Sequence, residues 1–426
     1  MEYIDFDMGS YKLHIIPTDK FKTVNISINF KRKLKKEEIT LRNFLNDILL
    51  CSTKKYPNSK EMEIESENLY NLQAYGNTSV SGKYGIISIN GSFLNEKYTE
   101  ANMNEQSINF IMDLLFNPNV TNNEFNKESF DIVYNGLKEE IESFEEDPRA
   151  YSQIRCLEEL DNSLEFSFRQ CGYIEDLNNI TPKSLFEYYK SVLKSDLIDI
   201  FIIGNIDENK IKEIISSKFN INTKKKESDS HYINFNDFRK RAKVVKEQKD
   251  FNQSKLVIAA KVENLSDFEK KYVLRLYSHI LGGAPDSKLF QTVREKHSLC
   301  YYITCTSRMV SSLVTISSGI NKENYKKCVT LIKKEMKNME NGLISEEDIT
   351  KSKIAYISSF KELQDNPSAI IRNALSHEYI QTDLIEESIK NIELVTKDMI
   401  TNVAKKVHLD TIYLLEGSSK DEKNWF

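Results

Sequence analysis

The chain of 426 residues repeats itself over a long period, and this repeat limits its possible folds more than any other feature. The segment GIISINGSFLNEKY at 85–98 has a counterpart 227 residues later, SLVTISSGINKENY at 312–325. In both, an alternating apolar strand pattern is followed by a glycine-containing turn and a polar stretch that ends in tyrosine. Self-similarity over so long an offset indicates two related halves.

Further pairs of segments follow in the same order, and their offsets drift by about the amount that loop insertions would produce. These pairs are 139–150 with 357–369, 24–30 with 255–262, 46–50 with 278–282, and 197–207 with 411–419. Between the halves lies a hydrophilic, charge-dense stretch that is typical of a linker. The sequence therefore predicts three parts: an N-terminal domain at 1–221, a charged linker at 222–243 and a C-terminal domain at 244–426.

Strand patterns and helical patterns are separated within each half. The alternating segments at 14–18 and 24–30 predict antiparallel neighbours, and helices are predicted at 105–116 and 121–147. Strands that are segregated from helical runs favour an α+β fold. We therefore predict two tandem homologous halves, each a mostly antiparallel sheet with helices packed on one face.

Composition and charge exclude several classes of protein. The net charge is −5, so the chain lacks the basic surface that nucleic-acid-binding proteins usually carry. No stretch approaches the roughly 18 consecutive apolar residues of a membrane span. The acidic start, MEYIDFDMGS, lacks the basic-then-apolar order of a signal peptide. These features predict a cytoplasmic protein that binds neither nucleic acid nor membranes.

Local metal and phosphate motifs are absent from the sequence. The chain has six histidines, and the closest two, His279 and His297, are too far apart for a zinc-binding pair on one element. The glycine pair at 282–283 lacks the remaining residues of a phosphate loop or a dinucleotide fingerprint.

The stretch LRNFLNDILLCSTKKYP at 41–57 combines an apolar helical pattern with short polar side chains. Asn43 and Asp47 are four residues apart and so share one face of the predicted helix, with Asn46 beside them. Such residues favour caps and turns over helix interiors. Their presence at this position therefore calls for a specific explanation.

This helix, together with LGGAPDSKLFQTVREKHSLCYY at 281–302, resembles the insulinase, pitrilysin and mitochondrial-processing-peptidase superfamily. Members of that superfamily bind zinc through an H-x-x-E-H helix in the first half and a glutamate on a later helix. Their second half often carries an LGG…SRLF…VREKRGLAY pattern. The H-x-x-E-H motif aligns with 43–47, where Asn43 and Asp47 replace the histidines and Asn46 replaces the glutamate. The third ligand aligns with Glu140 of LKEEI, which is retained.

These replacements remove the chemistry of the motif. An asparagine amide is a poor zinc ligand beside imidazole, and a neutral amide at position 46 cannot take a proton from a metal-bound water. The sequence therefore predicts a protein that is not an enzyme, with no catalytic residue, bound metal or cofactor. A Ca²⁺ or Mg²⁺ site built from Asn43, Asp47 and Glu140 stays open, although Ca²⁺ prefers six to eight ligands.

The resemblance also implies a partner. Several members of the superfamily work as pairs in which an inert subunit completes the substrate chamber of a zinc-bearing one. In this chain Arg294 and Tyr301 match the residues that bind the peptide backbone there. The chain looks most like the inert member of bacterial pairs that are linked to aminopentanol modification of elongation factor P.

The expected partners are a zinc-bearing homologue, or a second copy of the chain, and a peptide or unfolded polypeptide. Two alternatives remain at this point. One is a stand-alone scaffold or peptide-binding protein, and the other is an active metallopeptidase with an unusual site.

Overall fold

The computed structural model describes residues 2–219, 221 and 230–418. Residues 222–229 of the predicted linker therefore lie outside the described residues. The chain separates into two compact units, and each draws on three segments. The first comprises Met1–Ser143, Arg169–His231 and Asn366–Leu375, and the second comprises Phe144–Phe168, Tyr232–Asp365 and Ser376–Phe426. The predicted domain boundaries at 222 and 243 stay predictions.

The described strands are, in chain order, β1 (Ile4–Asp7), β2 (Lys12–Pro17), β3 (Thr23–Lys33), β4 (Gln73–Ser81), β5 (Tyr84–Leu94), β6 (Val120–Thr121), β7 (Glu124–Phe125), β8 (Leu197–Gly204), β9 (Lys243–Lys249), β10 (Ser254–Val262), β11 (Cys300–Arg308), β12 (Leu313–Ile320) and β13 (Val407–Gly417).

The α-helices are α1 (Ile39–Cys51), α2 (Ser59–Asn68), α3 (Met103–Phe116), α4 (Lys127–Ser143), α5 (Pro148–Asp161), α6 (Ile174–Leu177), α7 (Pro182–Ser195), α8 (Glu208–Lys218), α9 (Leu274–Gly282), α10 (Tyr325–Glu340), α11 (Glu346–Leu363), α12 (Pro367–Ile380), α13 (Ile385–Glu393) and α14 (Lys397–Lys405). Two π-helical segments lie at Glu269–Val273 and Phe290–Lys296. Within the part of the chain that the structure describes, every helix is too short or too polar to cross a membrane.

The first unit is built on a six-stranded sheet with the order β1-β2-β8-β3-β5-β4. All neighbours in it are antiparallel except β2 and β8. The prediction that β2 and β3 are neighbours was wrong, because β8 lies between them. The sequence of β8, LIDIFIIG, is buried along almost its whole length, and such a strand is covered on both faces of a sheet.

The second unit is built on a five-stranded sheet with the order β11-β12-β10-β13-β9. Its neighbours are antiparallel except β13 and β9. This order matches β4-β5-β3-β8-β2 of the first sheet strand for strand, including the position of the parallel pair. The match confirms the predicted α+β fold with two homologous, mostly antiparallel sheets.

Helices cover both faces of each sheet, one more face than was predicted. In the first unit, Ile370, Ile371 and Ala374 of α12 pack on Ile16 and Ile203, on the face that points away from the main core. In the second unit, α5 covers the corresponding face and packs against β10, β12 and β13. The second layer arises because these strands are apolar on both faces.

The helix that was predicted over 121–147 is shorter in the structure. Residues 120–125 form the small β6–β7 hairpin, in which Asn122 and Asn123 adopt positive φ angles of 53° and 61°. Asparagine tolerates this left-handed conformation better than most residues. The Oδ1 atom of Asn126 accepts the backbone N–H of Ser129 at 3.0 Å, so α4 is capped at Asn126 and not at Thr121.

Candidate functional site

The polar residues of the degenerate motif lie on α1, which packs against β4 and α4 in the first unit. Phe44, Leu45, Ile48 and Leu49 project from the helix into the main core, as their helical spacing predicts. The guanidinium of Arg42 donates to Asp196 Oδ2 at 3.0 Å and to the carbonyl oxygen of Phe30 at 2.8 Å. Asp196 is itself fully buried, so this ion pair fixes the start of the helix on the sheet.

Asn43 uses both ends of its amide. Its Nδ2 atom donates to the carbonyl oxygen of Gln170 at 2.7 Å, and its Oδ1 atom accepts from Thr78 Oγ1 at 2.6 Å. The residue is 7% exposed. Its side chain therefore ties α1 to β4 and to the segment that precedes α6, which explains a polar residue in the middle of a helix.

Asn46 is buried, and only one of the two polar groups of its amide makes a hydrogen bond. Its Nδ2 atom donates to Asp47 Oδ1 at 2.9 Å, whereas its Oδ1 atom has no hydrogen-bond partner among the described residues. A Cβ on Gly76 of β4 would lie 2.3 Å from this Oδ1 atom. The missing side chain of Gly76 is therefore what allows β4 to approach the helix so closely.

Asp47 and Glu140 place two carboxyl groups near each other. Burial raises the pKa of Asp47, and the hydrogen bond from Asn46 partly opposes this shift. Burial also raises the pKa of Glu140 on α4, and the charge of Asp47 raises it further. Burial raises the pKa of the nearby Cys171 thiol to about 11, with a smaller contribution from Glu140, so this thiol is protonated at neutral pH.

The residues present do not fit a catalytic zinc ion. The amide of Asn43 is committed to two other partners, which leaves Asp47 and Glu140 as the available donors. In the described part of the chain no third His, Cys, Asp or Glu side chain joins these two within the range of a common ion. Zinc sites use three or four protein ligands, mostly imidazole or thiolate. The Asn43 oxygen already accepts a hydrogen bond from Thr78, so it is a poor candidate ligand for Ca²⁺ or Mg²⁺ as well.

Arg294 and Tyr301 belong to the second unit. Arg294 lies in the π-helical segment, with its guanidinium carbon 4.4 Å from the centroid of the Phe290 ring and its Nε atom 3.8 Å from Glu295 Oε1. Its side chain is 37% exposed. No hydrogen bond or ring contact between described residues joins it to Tyr301.

Tyr301 lies near the start of β11, the edge strand of the second sheet. The pairing of β11 with β12 shifts register between Cys300 and Tyr302, which leaves Tyr301 without an opposite residue, as in a β-bulge. The side chain is 77% exposed. Bulges of this kind redirect a side chain, and here the redirected ring points into solvent.

The sequence analysis missed the residues that surround the motif. No pattern in the sequence links Gly76 to Asn46 or Thr78 to Asn43. Gln170 contributes a backbone carbonyl and so has no side-chain signal at all. The predicted positions 43, 46, 47 and 140 are brought together in one unit, although the roles assigned to them stay predictions.

Comparison with known proteins supports the superfamily that the motifs indicate. Residues 179–356 match the family model described as the peptidase M16 inactive domain. A relative from Bacillus subtilis (strain 168), named probable inactive metalloprotease YmfF, is 28% identical over 96% of this chain and 96% of its own length. The chain is similar to inactive members of the peptidase M16 superfamily over nearly its whole length. Both descriptions agree with a protein that is not an enzyme.

Two further matches cover most of the chain. A second relative from the same organism, named uncharacterized zinc protease YmxG, is 22% identical over 74% of this chain and 77% of its own. The crystal structure of a conserved protein from Enterococcus faecalis V583 matches with a TM-score of 0.92 and 26% identity. That match covers 99% of this M16 homologue and 100% of the other chain. The resemblance predicted from the motifs is confirmed by the inactive-domain model and by the relative YmfF.

Proposed function

We propose that this inactive M16 homologue is the non-catalytic subunit of a pair, in which it joins a zinc-bearing homologue and supplies part of the peptide chamber. One observation carries the proposal, the contrast between the two candidate sites. The positions that would hold zinc have become Asn43, Asn46 and Asp47, whereas Arg294 and Tyr301 are both present and accessible. A subunit that helps to bind a partner's substrate needs only the substrate-binding residues, Arg294 and Tyr301.

Arg294 is arranged to bind a polar ligand. Its guanidinium stacks on the Phe290 ring, which limits its movement and leaves its N–H groups available. Glu295 lies 3.8 Å away, beyond hydrogen-bond distance, so no strong ion pair competes with a ligand. A guanidinium in this state can donate two parallel hydrogen bonds to a carboxylate, or one to a peptide carbonyl.

Tyr301 and the free edge of β11 are suited to an extended polypeptide. Within the described sheet, β11 pairs with β12 on one side, so the backbone groups of its other edge have no strand partner. An added peptide strand can use such groups. An exposed tyrosine at the start of this edge offers both a ring surface and a hydroxyl group, and tyrosine is enriched at binding interfaces.

The proposed substrate is a peptide or an unfolded polypeptide, and the proposed location is the cytoplasm. The resemblance to bacterial pairs linked to aminopentanol modification makes elongation factor P the first protein to test. The proposed partner is a zinc-bearing homologue, with a second copy of this chain as the other possibility.

The decisive experiment is co-expression with a zinc-bearing M16 homologue from the same genome, followed by purification through a tag on this chain. We expect a stable complex that contains zinc in the partner alone and cleaves peptides. Failure to co-purify with any such homologue would favour a stand-alone scaffold. Chelator-sensitive cleavage by this chain alone would contradict the proposal and favour an active peptidase.

Substitution of Arg294 tests its role within the complex. We expect Arg294→Ala to lower kcat/KM of the complex by an amount worth about 2–4 kcal/mol, as for the loss of a transition-state contact. Arg241→Ala, at an exposed arginine of the same unit, is the matched control and should leave kcat/KM unchanged. Normal turnover by an intact complex that carries Arg294→Ala would remove Arg294 from the mechanism.

A further inference from the structure

The second unit contains a cavity of about 230 Å³ between α5 and its sheet, in a place unrelated to Arg294 and Tyr301. Most of the side chains that line it are polar or positively charged. Those that matter here are Arg149 of α5, Thr304, Thr306 and Arg308 of β11, and Thr315 and Ser317 of β12. Asp and Glu side chains are absent from this lining.

The cavity follows from the side-chain alternation of the strands. Ile303 and Cys305 of β11 face the main core, so Thr304, Thr306 and Arg308 face the opposite side of the sheet. On that side, Leu157 of α5 packs against an apolar group that includes Val257 and Tyr413. The polar side chains of β11 and β12 lie outside that group and form the wall of the cavity.

Arg308 is a positive charge without a counterion. No hydrogen bond or ion pair joins its guanidinium to another described residue. Burial lowers the pKa of Arg308, and no neighbouring carboxylate opposes this effect. Guanidinium stays protonated in proteins even so, and a partly buried charge without a partner is unfavourable. An anion in the cavity would remove this penalty.

Arg149 adds a second positive charge. Its guanidinium carbon lies 4.9 Å from the centroid of the Tyr302 ring, and its charge contributes to the lowered pKa of Lys255, for which burial is the main cause. Asp147 acts on Lys255 in the opposite direction, but its Oδ1 atom already accepts the backbone N–H groups of Arg149 at 2.8 Å and Ala150 at 3.1 Å. Among the described residues, the side chains that line the cavity therefore carry two positive charges and no negative one.

Hydroxyl groups supply the remaining donors. Ser317 is 5% exposed, and its Oγ atom has the Tyr302 hydroxyl nearby but makes no hydrogen bond of standard geometry within the described residues. Thr306 Oγ1 and Thr315 Oγ1 lie 2.9 Å apart, so one of the two hydroxyls donates to the other. A buried hydroxyl without a partner is uncommon and indicates that a water molecule or a ligand completes the site.

We propose that this cavity binds a small oxyanion, a phosphate or carboxylate group on a small molecule, between Arg149 and Arg308. Arginine and hydroxyl donors together match the geometry of these groups. An engineered cavity of about 150 Å³ holds benzene, so the volume here admits a small organic anion and excludes a folded polypeptide. This binding goes beyond the proposed peptide-chamber function and does not depend on it.

Titration calorimetry tests the proposal on the full chain, with inorganic phosphate and benzoate as probes at constant ionic strength. We expect saturable binding of at least one probe, and the preferred probe assigns phosphate or carboxylate as the recognised group. Arg308→Met should raise its Kd at least about tenfold, which corresponds to about 1.4 kcal/mol. Ser317→Ala should raise Kd several-fold, and the exposed control Arg241→Met should leave it unchanged.

A stability measurement separates lost binding from lost folding. Without anion, Arg308→Met should unfold at the same temperature as the wild type or at a higher one, because it removes an unpaired charge. In phosphate or benzoate, the wild type should gain more thermal stability than Arg308→Met. Absence of saturable binding by both probes, equal Kd values for wild type and Arg308→Met, or a lower unfolding temperature of the anion-free variant would overturn the proposal.

Discussion

Three polar residues of α1 occupy the positions that the resemblance assigns to a zinc motif. Asn43 makes two hydrogen bonds there, to Thr78 and to the Gln170 carbonyl. Asn46 packs against Gly76. Its side chain is a neutral amide, which cannot act as a proton acceptor. The sequence shows the identity of these side chains. The two hydrogen-bond partners of Asn43, however, are 35 and 127 residues away along the chain, so no local pattern indicates them.

The carboxyl group of Asp47 gives a test of this environment. Because burial raises its pKa in the folded state, its ionisation destabilises the fold as the pH rises through that pKa. We expect Asp47→Asn to raise the free energy of unfolding at pH 7, and this gain should shrink as the pH falls towards the ordinary aspartate pKa of about 4. Urea unfolding between pH 4 and 8 measures the effect.

Glu139→Gln is the control for Asp47→Asn, because Glu139 is an exposed carboxylate of α4. It should change stability by less than about 0.5 kcal/mol across the same pH range. A loss of stability in Asp47→Asn at pH 7 would contradict the expectation. That result would show that the carboxylate has a favourable partner, such as a bound cation.

At the level of elements, the glycine pair at 282–283 has a structural role. Gly282 ends α9, and a Cβ at this position would lie 2.7 Å from the Cβ of Cys305 on β11. The helix can therefore lie close to the strand that carries Tyr301. The sequence showed the glycines and excluded a phosphate loop, but only the packing of α9 on β11 explains them.

Two glycine substitutions should have opposite effects on stability. Gly282→Ala should lower the free energy of unfolding by about 1–3 kcal/mol, because the added methyl group overlaps β11. Gly136→Ala is the matched control in the exposed part of α4, where a Cβ meets nothing within 4 Å. It should raise stability by about 0.5–1 kcal/mol, because alanine favours the helix. Equal effects in chemical denaturation would contradict the packing argument.

At the level of the whole molecule, two sheets share one strand order and only one of them carries the degenerate metal positions. The retained Glu140 on α4 and the altered residues on α1 belong to the same compact unit. The prediction that the chain lacks zinc chemistry therefore depends on the residues at 43, 46 and 47 and not on a change of fold.

Metal content tests this account. The purified chain should hold less than about 0.1 zinc per molecule, and a chelator should not shift its unfolding temperature, since no bound ion stabilises the native state. The combined variant Asn43→His, Asn46→Glu and Asp47→His should take up about one zinc ion and become chelator-sensitive. Stoichiometric zinc in the wild type, measured by mass spectrometry, would contradict the assignment of an inactive site.

The sequence by itself determined the two-half α+β fold and the helix at 41–50, because both depend on hydrophobic periodicity, which is a local property. The altered zinc positions are what the resemblance to the superfamily implies. The tertiary structure alone decided that β8 separates β2 from β3, that Thr78 and Gln170 hold Asn43, and that Arg149 and Arg308 line one cavity. Such contacts join residues that are far apart in the chain. Only the packing of the whole fold determines which of the many possible long-range contacts form.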